Sequence, residues 1–324
     1  MTRKLSILLA ATAFSVTAGG AARADENGSS VYLLGSGGPA TAVQPPLTGI
    51  YIDNTIFVYT GGTNSQRDFK IGGSLVTDVD ATIAANFTTL VAVPSTNFLG
   101  GTLAIGGVLP VGAPMIDASA VITGPLGRQI DIRRHDANVM VGDPIGMVSL
   151  GWKSGKFHAQ LSGLVNIPVG YYRADALANL SFHRWAEDVS GAMSFHDEAS
   201  GWDVSSKVGI TFNGNNKDTD YDSGNDFHAE LSVEKALSKK FSIGVLGYHF
   251  EQLTGDTGGG ATQGPYKGRV SGVGGTMAFN TVLGRSPASF RIKVLQEFGE
   301  KNRTKGTAFM LDLSLPLHMN MPKQ

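Results

Sequence analysis

The sequence predicts an all-β chain: a transmembrane, antiparallel, up-and-down β-barrel of about 12 strands (10–14), preceded by a cleaved signal peptide. Three observations predict it. Glycine is frequent (43 of 324), mean hydropathy is near zero, and charged residues are 16% of the chain where soluble domains carry roughly a quarter. After residue 24 no apolar run approaches the roughly 20 residues of a membrane-spanning helix. Strand-like segments are separated by gaps that alternate between tight and long, as periplasmic turns and external loops do in an outer-membrane barrel.

Residues 1–24 read as the signal peptide. Arg3 and Lys4 supply the basic start, Leu5 to Val16 the apolar run, and Ala22-Arg23-Ala24 a small-x-small cleavage site. Residues 25–46 are rich in Gly and Pro and precede the first strand; they suit either a plug folded into the lumen or a flexible lead-in. The barrel is expected over 47–317, with a C-terminal tail at 318–324.

Within the barrel the first strands fall at 49–60, 78–93 and 101–110, followed by a long external stretch, 111–143. Strand-like segments then follow at 144–153, 156–169, 184–197, 201–213, 226–237, 240–253, 267–282, 287–299 and 305–317. Ser154-Gly155, Glu198 to Ser200, Ser238-Lys239 and Leu283 to Ser286 are the tight turns, and 170–183, 214–225 and 254–266 the longer polar loops. The chain would then end its last strand on Leu317, without the terminal aromatic residue common in such barrels.

Alternation of period two assigns the faces. Trp202, Val204, Val208, Ile210 and Phe212 oppose Asp203, Ser205, Lys207, Thr211 and Asn213; Phe227, Leu231 and Val233 oppose His228, Glu230 and Glu234. Phe290, Ile292, Val294 and Phe298 oppose Arg291, Lys293 and Glu297. Glycine blurs both faces of 240–253 and 267–282. Trp152, Phe157, Phe195, Trp202 and Phe241 near the tight turns, and Tyr171, Trp185, Phe212, Phe227, Phe250 and Phe298 near the opposite ends, form two interfacial girdles.

The polar phase of these strands gives the candidate lumen-lining or substrate residues: Asp203, Lys207, His228, Glu230, Glu234, Arg291, Lys293 and Glu297. Such charges either set solute selectivity or satisfy one another as interior ion pairs that fill a narrow lumen. Loss of three basic residues with the signal peptide takes the formal charge from −1 to −4, too mild for a nucleic-acid partner. No catalytic residue, metal or cofactor is expected. Gly35 to Ala40 matches a loose dinucleotide fingerprint, but Gln44-Pro45-Pro46 stands where a helix should follow. The acidic loop Asp218, Asp220, Asp222, Asp226 has Gly224 one position late for a calcium loop and Ala229 in place of the bidentate Glu. His196 beside Asp197 is the nearest arrangement to an oriented base, and it sits at a periplasmic turn.

From Gly151 onward a series of phrases occurs in order: Gly151-Trp152, Asn166-Ile167-Pro168-Val169-Gly170-Tyr171, Phe212-Asn213 and Thr219-Asp220-Tyr221-Asp222-Ser223-Gly224. Phe227-His228, Gly247-Tyr248, Gln252, Thr254-Gly255-Asp256, Gly268-Arg269 and Asn302-Arg303 complete it. Together they resemble the MetA-pathway of phenol degradation family over about residues 45–317. The resemblance implies an outer-membrane channel or transporter of a Gram-negative bacterium, admitting small hydrophobic or aromatic compounds linked to catabolism. Its expected partners are outer-membrane lipids and lipopolysaccharide, the barrel-assembly machinery, and the solute. The alternatives are a closed structural or adhesive barrel and, further off, an outer-membrane lipid hydrolase.

Overall fold

The computed structural model of the chain describes residues 30–62, 69–71, 74–76, 78–123, 129–176, 178–261, 265, 267–284 and 286–320. The expected signal peptide, residues 25–29 and the last four residues lie outside them. Twelve antiparallel strands form the wall. They are β1 (Gly49–Gly62), β2 (Asp78–Phe98), β3 (Gly101–Thr123), β4 (Ile145–Ser154), β5 (Phe157–Asn166) and β6 (Ala186–Asp197). The second half is β7 (Trp202–Asn213), β8 (Asp226–Ala236), β9 (Phe241–Gln252), β10 (Arg269–Leu283), β11 (Ser286–Lys301) and β12 (Lys305–Met319).

Each strand pairs with its neighbours in sequence, and β1 also pairs with β12 from Gly49↔Met319 to Gly62↔Lys305, which closes the barrel. Closure is what lipid demands, since an open edge would leave a row of backbone donors and acceptors with neither water nor partner. A ten-residue strand such as β4 or β5, tilted by about 40°, spans roughly 25 Å, the height of an apolar band in an outer-membrane barrel.

The outward face carries that band. Ile105, Val148, Leu161, Val189, Met193, Val208, Leu231, Val245, Val273 and Val294 are all exposed. The inward face buries Asp188, Ser190, Ser194, Asp203, Ser205, Thr211, His228 and Ser232. An apolar exterior around a polar interior is stable only with lipid outside.

Three expectations need correction, and one ambiguity is resolved. The stretch 111–143 is largely sheet: β3 continues to Thr123, and Gln129–Ala137 and Met140–Val141 pair against it. Pro110 suggests a strand end because it has no donor, yet its carbonyl points toward Gly142, which bonds to it. Its missing N–H faces the same side, where pairing with β4 has stopped at Val108↔Ile145 and the short Met140–Val141 segment follows, so the proline forgoes one ladder bond at the junction between two neighbours. Second, β12 runs to Met319, two residues past Leu317, because Ile50 and Gly49 still offer partners. Third, Phe250 belongs to no girdle: it points inward and is 1% exposed. The glycine-blurred strands resolve with Leu246, Tyr248 and Phe250 of β9 and Val270 of β10 facing the lumen. Gly272, paired with Tyr248, is what lets that ring lie against the wall, since a Cβ there would meet it at 2.4 Å.

The fold predicts that Val208→Lys, in the middle of β7's outward face, destabilises the barrel by about 2–4 kcal/mol, as cations at the bilayer midplane do. Urea unfolding from lipid vesicles measures this; an unchanged midpoint would mean that this face does not meet lipid.

Candidate functional site

The eight predicted lumen residues all lie on the inward phase of β7, β8 and β11, and six of them are fully buried. Register sets Asp203 opposite Glu234, Lys207 opposite Glu230 and Gly209 opposite His228. Arg291 reaches Glu234 with both terminal nitrogens, one of them at 3.2 Å, and donates to Thr276 Oγ1 at 2.8 Å. Lys293 lies 3.2 Å from Asp312 of β12. His228 Nε2 meets Asp188 Oδ2 at 2.9 Å, and His196 Nδ1 meets Asp203 Oδ2 at 2.8 Å. Glu297 stands apart, toward the external end, where Tyr248 and Tyr59 donate to its two oxygens at 2.7 and 2.8 Å.

These charges also hold residues 30–46, which run inside the barrel without helix or strand. A buried irregular backbone must find its hydrogen bonds elsewhere, and here the wall supplies them. Gly35 N donates to Glu230 Oε1 at 2.8 Å, and Lys293 Nζ donates to the carbonyls of Gly35, Ser36 and Gly37 at 3.1, 2.9 and 3.0 Å. Ala40 N donates to Asp203 Oδ1 at 2.9 Å, Ala42 N to Ser194 Oγ at 3.1 Å, and Gln44 Nε2 to Ser149 Oγ at 3.2 Å. Gly35 makes this possible with φ at 81°, a conformation that side chains resist.

The lumen is chemically uneven. Toward the external end, Tyr59, Leu246, Tyr248, Phe250, Val270, Leu295 and Ala308 form an apolar cluster with Tyr32 and Leu34 of the inner segment. Toward the periplasmic end a polar cleft of about 200 Å³ remains between that segment and β1, β11 and β12. Ser36 and Thr41 face it from one side, and Asp53, Arg291, Lys293 and Asp312 from the other.

The apolar half was missed in sequence because an inward face was expected to be polar. The inner segment's partners were missed because nothing local marks which wall residue a loop will meet. On the external side, Asp143 was missed too. It gathers Asn166 Nδ2, Gly170 N, Ser181 Oγ, Phe182 N and His183 N at 2.6–3.0 Å, which ties the loop after β5 to the rim.

One cluster has the composition of a hydrolase relay: Ser190, His228 and Asp188. Its geometry is different. Asp188 and Ser190 both approach Nε2 of His228, at 2.9 and 3.4 Å, and Ser190 also donates to Asp188. A relay needs the acid on one ring nitrogen and the nucleophile on the other. His196, likewise, takes Asp203 as its partner; Asp197 binds Lys156 and Ser200. In the acidic loop, Asp220 accepts from Gly259 N, and Asp226 is drawn into β8, where Asn213 donates to it. Among the described residues no group of three His, Cys, Asp or Glu is placed to hold a metal.

The comparisons with known proteins fit this geometry. No curated protein matches the chain. Among solved structures, the COG4313 outer membrane channel from Pseudomonas putida F1 superposes with a TM-score of 0.63 at 15% identity, over 86% of this chain and 97% of that one. A FadL homologue of Pseudomonas aeruginosa gives a TM-score of 0.44 at 9% identity, over 87% and 93%. The first establishes a shared fold. With its closed wall and lipid-facing band, the chain is an outer-membrane barrel of a Gram-negative bacterium. A family model described as "Putative MetA-pathway of phenol degradation" matches residues 65–313, and the chain belongs to that family.

Proposed function

We propose that this barrel is a channel for small molecules, with hydrophobic or aromatic compounds as its solutes and residues 30–46 as an internal constriction. The observation that carries this reading is the uneven lumen. Aromatic and aliphatic side chains pack in its external half, and a polar cleft lies beside the inner segment nearer the periplasm. An aromatic solute gains from leaving water in the first zone and meets hydroxyls and paired charges in the second. Arg291 and Lys293 border that second zone beside Asp53 and Asp312, so selectivity there rests on shape and hydrogen bonding more than on net charge. The family's association with phenol degradation points the same way.

The contacting lipids, lipopolysaccharide at the external rim and the barrel-assembly machinery complete the proposed partners. Catalysis has no support in the lumen, because the Ser190–His228–Asp188 geometry lacks a separate nitrogen for the nucleophile. A second reading, a closed structural barrel, is favoured by one observation: the inner segment is hydrogen-bonded to the wall along much of its length.

Solute flux into liposomes decides between them. Wild-type protein is expected to admit a small aromatic acid faster than a sugar of similar size, measured against protein-free liposomes. Equal uptake of the two would indicate a general porin, and uptake of neither a closed barrel.

Lys293→Met tests the constriction. It removes a charge that serves three segment carbonyls and leaves Asp312 without its cation. Breaking a buried pair typically costs about 3–5 kcal/mol. If only about 1.4 kcal/mol of that loosens the segment, its displaced population rises about tenfold. Solute flux should rise with it; unchanged flux in a variant that still folds would show that the segment does not limit passage.

A further inference from the structure

Tyr32 is held in the lumen by its ring. The His228 imidazole stacks on it with centroids 3.6 Å apart and planes 9° from parallel. The Lys207 ammonium lies 4.7 Å from the ring centre. An imidazole that close leaves no room for a second group on the same face, so the ammonium takes the other. Stacking on one side and a cation on the other is a recognition site for an aromatic ring.

The two sides of the slot belong to the wall. His228 is oriented by Asp188 at 2.9 Å, and the register of β7 and β8 places Lys207 next to Glu230. Gly209, opposite His228, keeps the space open: a Cβ there would meet the imidazole at 2.4 Å.

Tyr32 fills this slot with incomplete hydrogen bonding. Its hydroxyl, His228 Nδ1 and Glu230 Oε2 are all buried and lack a well-aligned hydrogen bond among the described residues, the hydroxyl lying beside Ser36 and Glu230 without meeting either squarely. Burial, and then the nearby Glu230 carboxylate, push the Tyr32 phenol well above its ordinary pKa, so it stays neutral and keeps its proton to donate. A tethered ring cannot turn freely to align with these groups. A free phenol of the same shape can, with Glu230 Oε2 as acceptor for its hydroxyl.

We propose that the slot between His228 and Lys207, with Glu230 beside it, is a phenol-binding site, and that Tyr32 is its built-in occupant, displaced when a phenolic solute enters the lumen. The inference rests on the channel reading above and deepens it: the solute class is a phenol, and binding loosens the end of the segment that carries Tyr32.

The chain has no cysteine, so a single introduced thiol reports on the segment alone. Val31→Cys places it on a buried residue next to Tyr32, and Leu34→Cys offers a second reporter should the first fail to fold. Full-length protein in lipid vesicles is treated with a maleimide alone, with p-cresol, or with 4-methylcyclohexanol. The expected result is labelling about tenfold faster with p-cresol, the size of a modest population shift. No such increase is expected with the non-aromatic alcohol, and none with p-cresol once His228→Ala is added. Equal acceleration by both alcohols, no acceleration by p-cresol, or a response that survives His228→Ala would each overturn the proposal. Its failure is separable from that of the channel: a protein that passes solute yet labels no faster loses only the slot. A chain lacking 30–46 that folds but passes no solute loses the channel, whatever the labelling shows.

Discussion

Closure of the sheet between β1 and β12 is the constraint on which the other features depend. Lipid offers no hydrogen bonds, so the strand edges must find each other, and the pairing reaches the first residue of β1 across one register shift between Ile50 and Tyr51. Closure with twelve strands fixes an interior that side chains alone do not fill. Alternation then sends every second residue into it, including groups such as Asp188, Asp203, Glu230 and Lys293 that cannot be left there unpaired.

Those buried groups are satisfied in two ways. Some meet across the wall, as Arg291 with Glu234 and His196 with Asp203 do. Others need the chain's own N-terminal segment. Glu230 and Lys293 face a backbone that carries both donors and acceptors, and an irregular segment is well suited to them because its N–H and C=O groups are not spent on a helix or sheet. The two requirements are complementary. Residues 30–46 have no regular structure to satisfy their backbone, and the lumen has charges whose hydrogen-bonding capacity the neighbouring strands do not exhaust. Gly35 is the point where both are met, with its N–H on Glu230 and its carbonyl on Lys293.

Much of this was legible in the sequence wherever inward meant polar. In 201–213 the alternation of Asp203, Ser205 and Lys207 with Val204 and Val208 places each side chain correctly. The same rule hides β9. Leu246, Tyr248 and Phe250 share the inward phase, and an apolar inward face gives no contrast with an apolar outward one, so Phe250 reads as an interfacial aromatic. Pro110 misleads for a different reason: its missing donor falls at the junction where one neighbour of β3 ends and the next begins, and that is a tertiary fact. The ordered phrases that carry the family resemblance do identify the chain's kind, but they report shared ancestry and say nothing of which lumen groups meet. The pairing of a phenol in residues 30–46 with a histidine almost two hundred positions later is a contact that no local pattern encodes.

The inner segment is not gripped evenly. From Gly35 to Ala40 its backbone is held by charged groups, and hydrogen bonds to charges are worth about 1.5–3 kcal/mol each. At Tyr32 the hold is a stacked pair and a cation–π contact, each about 0.5–2 kcal/mol. It is offset there by buried polar atoms that lack well-aligned hydrogen bonds. The segment should therefore detach from its Tyr32 end first, while Lys293 still anchors Gly35 to Gly37. That order matters for a channel. Movement at the Tyr32 end opens space in the apolar half of the lumen, where an aromatic solute already gains from burial, and leaves the segment tethered to reseal once the solute has passed. A barrel whose only task was to be closed would have no need for this gradient, since completing the hydrogen bonds of Tyr32, His228 and Glu230 would hold it shut more firmly.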